Sequence, residues 1–201
     1  VIASSRDRKR EIRDAAIRLV AGDGLEAATT RAIARAVGVT EAALYRHYGS
    51  KEEILWGAYR HLVEELLDEK QHLLEDDRPL RARLREWVRL TYAYYDRNPA
   101  AFTYALLIPD VAPREDPVTQ AQGRLFMAIY RDARKKGEVR PLSPKLALSH
   151  FTGVLLNVPR LINEGVLPPP ASRHVDEVAN AVWRLLGPAP SRDDADPARD
   201  R

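Results

Sequence analysis

Cysteine is absent from the chain, which excludes a disulfide framework and any thiolate metal site. Long apolar runs are missing too: none approaches the roughly 20 residues that span a bilayer. The polar amino-terminal stretch lacks the pattern of a secretory signal, so the expectation is a soluble, cytoplasmic protein without a membrane partner. Nor is there an overwhelming excess of one charge, since the formal net charge is only +3, far from a non-specific nucleic-acid coat. Reading one DNA site does not require such an excess, because local placement of Arg and Lys matters more than the total. The histidines His47, His61, His72, His150 and His174 form no HExxH arrangement. A phosphate-cradling glycine loop and a nucleophile elbow are lacking as well. His61 and His72, near Glu64, Glu65 and Asp68, lie too far apart along one helix for a metal site. The expectation is therefore no catalytic residue, no metal and no cofactor. An enzyme and a purely structural helical dimer are the alternatives from other classes.

What is present is organised around the stretch from Thr29 to Leu55. Thr30 can cap a short helix with Ile33, Ala34 and Val37 on its apolar side, stopped by Gly38, which enters the left-handed region at no Cβ cost. Thr40 can cap a second short helix with Ala43, Leu44 and His47 at helical spacing. Periodicity alone leaves a DNA-binding helix-turn-helix and an ordinary helical hairpin equally open. The exit from the second helix tips the balance. Tyr45, His47 and Tyr48 are followed at once by Gly49, Ser50 and Lys51, and Ser50 with Glu53 makes a capping box that places Lys51 where a phosphate can be met.

These residues resemble the DNA-binding domain of TetR-family transcriptional regulators. The family's pattern is met by Thr29, Ile33, Ala34, Gly38, Val39, Thr40, Leu44, Tyr45, His47, Lys51 and Glu52, without interruption. The likeness covers about the first quarter of the chain; the remainder resembles the family only in length and helical layout. One departure concerns the recognition helix, where Ala42 and Ala43 stand in place of the glycine and small polar residue often found there. Their methyl groups can meet a thymine methyl but cannot hydrogen-bond a base edge.

Along the rest of the chain, the apolar spacing predicts helices over about Lys9–Ala21, Lys51 to the low seventies, Leu80–Asp96, Asn98–Ile108, Val118–Lys136, Lys145–Glu164 and from Val175 to Gly187. Pro109, Pro113 and Pro117 enclose a loop, Pro159 lies inside a helix, and Pro168, Pro169 and Pro170 form a stiff connection. No segment reads as a strand. The fold class expected is all-α, with about nine helices: an amino-terminal three-helix helix-turn-helix domain over residues 1–50, a helical ligand-binding and dimerisation domain over 51–187, and a polar tail over 188–201. Arg6, Arg8, Lys9 and Arg10 make a basic start that either approaches phosphates or is simply solvated.

For DNA, Thr40, Glu41, Ala42 and Ala43 are assigned to the major groove, with Glu41 able to accept from a cytosine amine. Tyr45, His47 and Lys51 are assigned to phosphates, with Thr29, Thr30 and Arg31 gripping from the preceding helix and Arg46 reaching either a phosphate or a guanine. Core packing is the competing role for Tyr45 and Tyr48, and a capping or core role for His47. In the larger domain, Trp87, Thr91, Tyr94, Tyr95, Phe102, Tyr104, Phe126, Tyr130, His150 and Asn157 mix apolar surface with a few polar groups, as a ligand cavity requires and as ordinary core also does. Phe151, Leu155, Val178, Val182 and Trp183 are candidates for an intermolecular seam. The resemblance implies a homodimer through the last two helices, a palindromic DNA operator and a small-molecule effector. It implies a repressor released by an inducer; an activator would use the same DNA-binding geometry.

Overall fold

Thr29, Thr40, Ser50 and Ser143 each begin a helix by the same device, a side-chain oxygen that accepts from the backbone N–H three residues on. In the computed structural model, which describes residues 5–108 and 116–188, these starts belong to an all-helical chain. Positions 1–4, the side chain of Arg6, the segment carrying Pro109 and Pro113, and the tail beyond Pro188 lie outside the described residues. The helices are α1 (Ser5–Asp23), α2 (Thr30–Val37), α3 (Glu41–Tyr45), α4 (Lys51–Gln71), α5 (Leu80–Arg97), α6 (Pro99–Phe102), α7 (Ala121–Lys135), α8 (Pro144–Asn163) and α9 (Val175–Leu186). No strand occurs among the described residues.

Most expected boundaries hold to within a few residues, and the exceptions have local causes. Thr29, not Thr30, caps α2: its hydroxyl oxygen accepts from Ala32 N at 3.1 Å. Gly38 ends α2 at φ 73°, with its N–H on Arg35 O and the Val39 N–H on Ala34 O. That pair of bonds satisfies two otherwise orphaned carbonyls, and the left-handed backbone makes glycine the residue of choice. Past Phe102 the chain winds into a π turn over Thr103–Leu107, closed by Ile108 N on Thr103 O at 3.1 Å.

Two buried clusters meet along α4. The first joins Ile12, Ala16 and Val20 of α1 to Ile33, Leu44, Ile54, Ala58 and Leu62, and makes the head. Ile17, absent from the expected inner stripe of α1, is buried too, because α1 packs against α6 as well as α2 and α4. The second cluster, the body, gathers Leu66, Val88, Tyr92, Phe126, Ile129, Phe151, Leu155, Val178 and Val182. Each fully buried side chain of this size contributes about 1.5–3 kcal/mol relative to exposure. Helix ends in the body are finished from far along the chain. Glu138 accepts from Leu80 N at 2.5 Å where Pro79 supplies no side-chain cap, and Arg140 donates to Gly187 O at 2.9 Å and Arg184 O at 3.1 Å at the end of α9.

Pro159 sits inside α8 without interrupting it. A proline has no N–H, so the carbonyl of Leu155, four residues earlier, loses its helical donor. The Tyr92 phenol donates to that carbonyl instead, at 2.9 Å.

The expected intermolecular seam needs correction. Phe151, Leu155, Val178 and Val182 are buried within the chain itself, because α8 and α9 pack against each other and α9 against α5. Of the five residues proposed for the seam, only Trp183 is partly exposed, with the Arg81 guanidinium 6.0 Å above its ring. The apolar side chains left outward on these two helices include Leu146 and Leu185.

Candidate nucleic-acid interface

The local chemistry of α2 and α3 leaves specific groups free. Thr29 and Thr40 spend their hydroxyl oxygens as acceptors for Ala32 N and Ala43 N, both at 3.1 Å, which leaves each O–H able to donate outward. Thr30 is different, since its hydroxyl donates to Glu41 Oε2 at 2.9 Å and is therefore occupied. Thr29, Arg31, Thr40, Glu41, Ala42, Tyr45 and Arg46 are exposed, while Thr30, Ala43, His47 and Lys51 are half-buried. Leu44, fully buried, anchors α3 to the head so that these neighbours face out.

The two tyrosines part ways. Tyr45 is 49% exposed, which rules out core packing. Tyr48 is buried; its phenol donates to Lys9 O at 3.2 Å, and the Lys9 ammonium lies 5.5 Å from its ring centroid. Burial pushes the Tyr48 phenol above its ordinary pKa. The basic start of the chain is consequently dispersed: Arg8 pairs with Glu11 at 2.7 Å, Lys9 covers Tyr48, and Arg10 turns towards the joint between head and body.

Ser50 accepts from Glu53 N at 3.1 Å, and Glu53 reaches back to Gly49 N at 2.5 Å, so the expected capping box forms with its second bond shifted by one residue. Lys51 is the first residue of α4, where free helical N–H groups and its ammonium favour an anion together. Arg35, which the reading of the sequence left out, stands exposed one turn beyond Arg31 and borders a shallow groove with Leu19, Thr29 and Ala32. Its spacing from Arg31 was the available signal.

In the body, a cavity of about 190 Å³ lies between α4, α5, α7 and α8. Its walls include Tyr59, Val63, Trp87, Thr91, Leu106, Thr119, Gln122, Phe151, Thr152 and Leu155, none of them charged. Thr91 is 1% exposed, and its hydroxyl oxygen has no hydrogen-bond partner among the described residues. Of the ten residues expected to bind a ligand, Trp87 and Thr91 line this cavity. The others serve elsewhere. Tyr94 donates to Glu65, Tyr95 to Asn163, and Tyr130 to Arg140 O; Phe102 meets Tyr95 edge-on and Phe126 stacks on Tyr130 and Phe151. Tyr104 is in the head's core, donating to Leu55 O at 2.6 Å. Asn157 accepts from Arg160 on the exposed side of α8, and the half-buried His150 lies two turns before it. Tyr59, Thr119, Gln122 and Thr152 were not foreseen, since only the folded packing brings them together.

Residues 12–56, which hold most of the head, match the model for bacterial regulatory proteins of the tetR family. This segment belongs to the tetR family of bacterial regulatory proteins. Among curated proteins of like sequence, the nucleoid occlusion factor SlmA of Marinobacter nauticus is 28% identical over 190 residues, covering 88% of this chain and 96% of that protein. The SlmA of Escherichia coli O1:K1 / APEC is 36% identical over 97 residues, but that match covers only 48% of this chain and 49% of that protein. Among solved structures, the transcriptional regulator FadR of Bacillus subtilis in complex with stearoyl-CoA shares the fold at a TM-score of 0.75 and 14% identity, covering 86% of this chain and 96% of that one. No helix among the described residues is long and apolar enough to cross a membrane.

Proposed function

We propose that this chain is a tetR-family transcription regulator and not an enzyme, a cytoplasmic dimeric repressor that binds a palindromic operator and releases it when a small molecule enters the body. In this reading residues 1–50 read DNA, 51–187 sense the ligand and dimerise, and 188–201 are a polar tail. One observation carries it: α4 begins at Lys51, directly after the exposed α3, and runs on to put Tyr59 and Val63 in the cavity wall. A change in the cavity thus has a rigid path to the head.

Thr40, Glu41, Ala42 and Ala43 take the base edges, and Thr29, Arg31, Tyr45, His47 and Lys51 take phosphates, with Arg35 added to the latter group. Thr30 acts through Glu41 rather than on a phosphate, and Arg46 serves either role. Dimerisation uses the outward face of α8 and α9, and the two heads read half-sites about one helical turn, roughly 34 Å, or a small multiple apart. The inducer prefers the conformation that cannot hold DNA, because equal affinity for both would shift nothing. The uncharged cavity wall favours an apolar effector that can hydrogen-bond Thr91. That a protein of this fold is known in complex with stearoyl-CoA supports a ligand-holding body.

A second reading follows from the likeness to nucleoid occlusion factors: the chain binds sites spread over the chromosome rather than one promoter. Selection of bound sequences from a random DNA library gives the site and its symmetry. Mapping bound sites across the genome then separates the two readings, with a few promoter sites expected for the repressor. Failure to select any palindrome over a range of salt concentrations overturns both. Repeating the binding with candidate apolar ligands reads out the inducer.

A further inference from the structure

A cleft of about 410 Å³ separates α1 of the head from α4, α5 and α6. Arg10, Arg13 and Arg18 line it from α1, with Arg13 and Arg18 on opposite flanks of Arg10. None of the three has an ion-pair partner among the described residues, and the Nε of Arg13 is buried with no hydrogen-bond partner there. Arg8, on the same helix but outside the cleft, is instead paired with Glu11 at 2.7 Å. On the far wall Arg97 is held by Glu69 at 2.8 Å, and Glu65 is engaged by the Tyr94 phenol at 3.2 Å and lies 3.5 Å from His61. Asp14 and Glu65 are then the two carboxylates set against the three guanidinium groups of Arg10, Arg13 and Arg18.

Leaving a guanidinium N–H buried and unpaired is unfavourable, and a forked donor of this shape is satisfied best by a planar or tetrahedral oxyanion. We propose that this cleft is a binding site for a small molecule bearing a phosphate or carboxylate group, held by Arg10, Arg13 and Arg18. The cavity is far larger than one oxyanion, so the occupant carries a further body that rests against Ile17, Pro99 and Ala101. Such an occupant touches both α1 and the α5–α6 corner, and so holds the head against the body. The site is separate from the uncharged cavity between α4 and α8, with which it shares no lining residue.

The test is thermal unfolding of the full chain in increasing inorganic phosphate and, in a parallel arm, citrate, with ionic strength matched by chloride. A saturable rise in Tm is expected, about 5–10 °C at a hundredfold excess over the dissociation constant. It is lost in Arg13→Gln and, should that variant fold poorly, in the exposed-site variant Arg18→Ala. A response to phosphate alone assigns a phosphoryl group and a response to citrate alone a carboxylate. No rise with either anion, or an unsaturable rise equal in the native chain and both variants, overturns the proposal.

Discussion

The phenol of Tyr92 on α5 donates to the carbonyl of Leu155 on α8 at 2.9 Å, the carbonyl that Pro159 leaves without its helical donor. Both groups are buried, so the bond is needed rather than merely available. Burial also pushes the Tyr92 phenol well above its ordinary pKa, so it stays a donor at any ordinary pH. Tyr92→Phe should cost about 1–3 kcal/mol, because it orphans the carbonyl. In a Pro159→Ala background the restored N–H supplies another donor, and Tyr92→Phe should cost much less. Denaturant midpoints of the four proteins check this; equal losses in both backgrounds would show that the proline has no part in it.

The Thr30–Glu41 bond makes a second cycle at the proposed DNA interface. Thr30 keeps Glu41 in one orientation across the helix-turn-helix, so Thr30→Val should blur base preference at the position that Glu41 is proposed to read, by up to the roughly 1–3 kcal/mol that one good base contact discriminates. Glu41→Ala should add little to that. Lys51→Ala, by contrast, should weaken binding to all sequences alike and flatten the salt dependence by about one counterion per bound head. Binding titrations on a site and its single-base variants at several salt concentrations decide it. A uniform loss from Thr30→Val and Glu41→Ala would reduce their bond to a structural strut.

The contrast between Thr29 and Thr30 shows where the sequence stops being informative. Either threonine can cap a helix that begins nearby, and one residue of phase decides which hydroxyl faces the backbone. Gly38, Thr40 and Ser50 were legible because a turn or cap is local, and the helices followed from their apolar spacing. Trp87 and Thr91 fell on the cavity, yet Tyr94, Phe102 and Tyr104 did not, since an aromatic on an apolar stripe has the same signature whether it faces a cavity or a neighbour. Phe151 and Val182 were misplaced for the same reason: an apolar face does not say whether its cover comes from its own chain. Glu138 at the start of α5 and Arg140 at the end of α9 could not be foreseen, because nothing local announces a cap that arrives from so far along the chain.

Thr91 offers a separable test of the cavity. Its buried hydroxyl has no partner among the described residues, and valine has nearly the same shape without the polar atom. Thr91→Val should stabilise the free protein by about 1 kcal/mol, raising Tm by about 2–4 °C, and weaken an effector that bonds there. A destabilised variant, seen by calorimetry, would mean that the hydroxyl is already satisfied.

For the proposed dimer, His150, Gly153, Asn157 and Leu161 recur at three- and four-residue spacing on the face of α8 turned away from the buried Phe151, Leu155 and Pro159. A Cβ at Gly153 has nothing within 4 Å in the chain and the residue is exposed, so Gly153→Arg should leave the monomer folded while placing a charge in the seam. Sedimentation at micromolar concentration should show the native chain at twice the mass of the variant. A native chain already monomeric there would refute the dimer outright.

Lys70 is the most exposed to pH of the buried groups. It is fully buried, donates to Leu66 O at 2.9 Å and sits 5.9 Å from the centroid of Trp87. Desolvation lowers its pKa from 10.5 to about 8, with Glu69 opposing the fall. A lysine whose pKa falls on folding binds its proton less tightly in the native state than in the unfolded chain. It therefore destabilises the fold fully below about pH 8, and that penalty, on the order of 3 kcal/mol, is relieved as pH rises towards 10.5. Lys70→Met keeps the length of the stem, removes the charge and should be more stable than the native chain at pH 7. The gap should narrow as pH rises from 8 to 10, because the native lysine is then already neutral in the fold. Urea unfolding of both proteins across that range measures it, and a gap that is constant with pH would mean that Lys70 keeps its ordinary pKa.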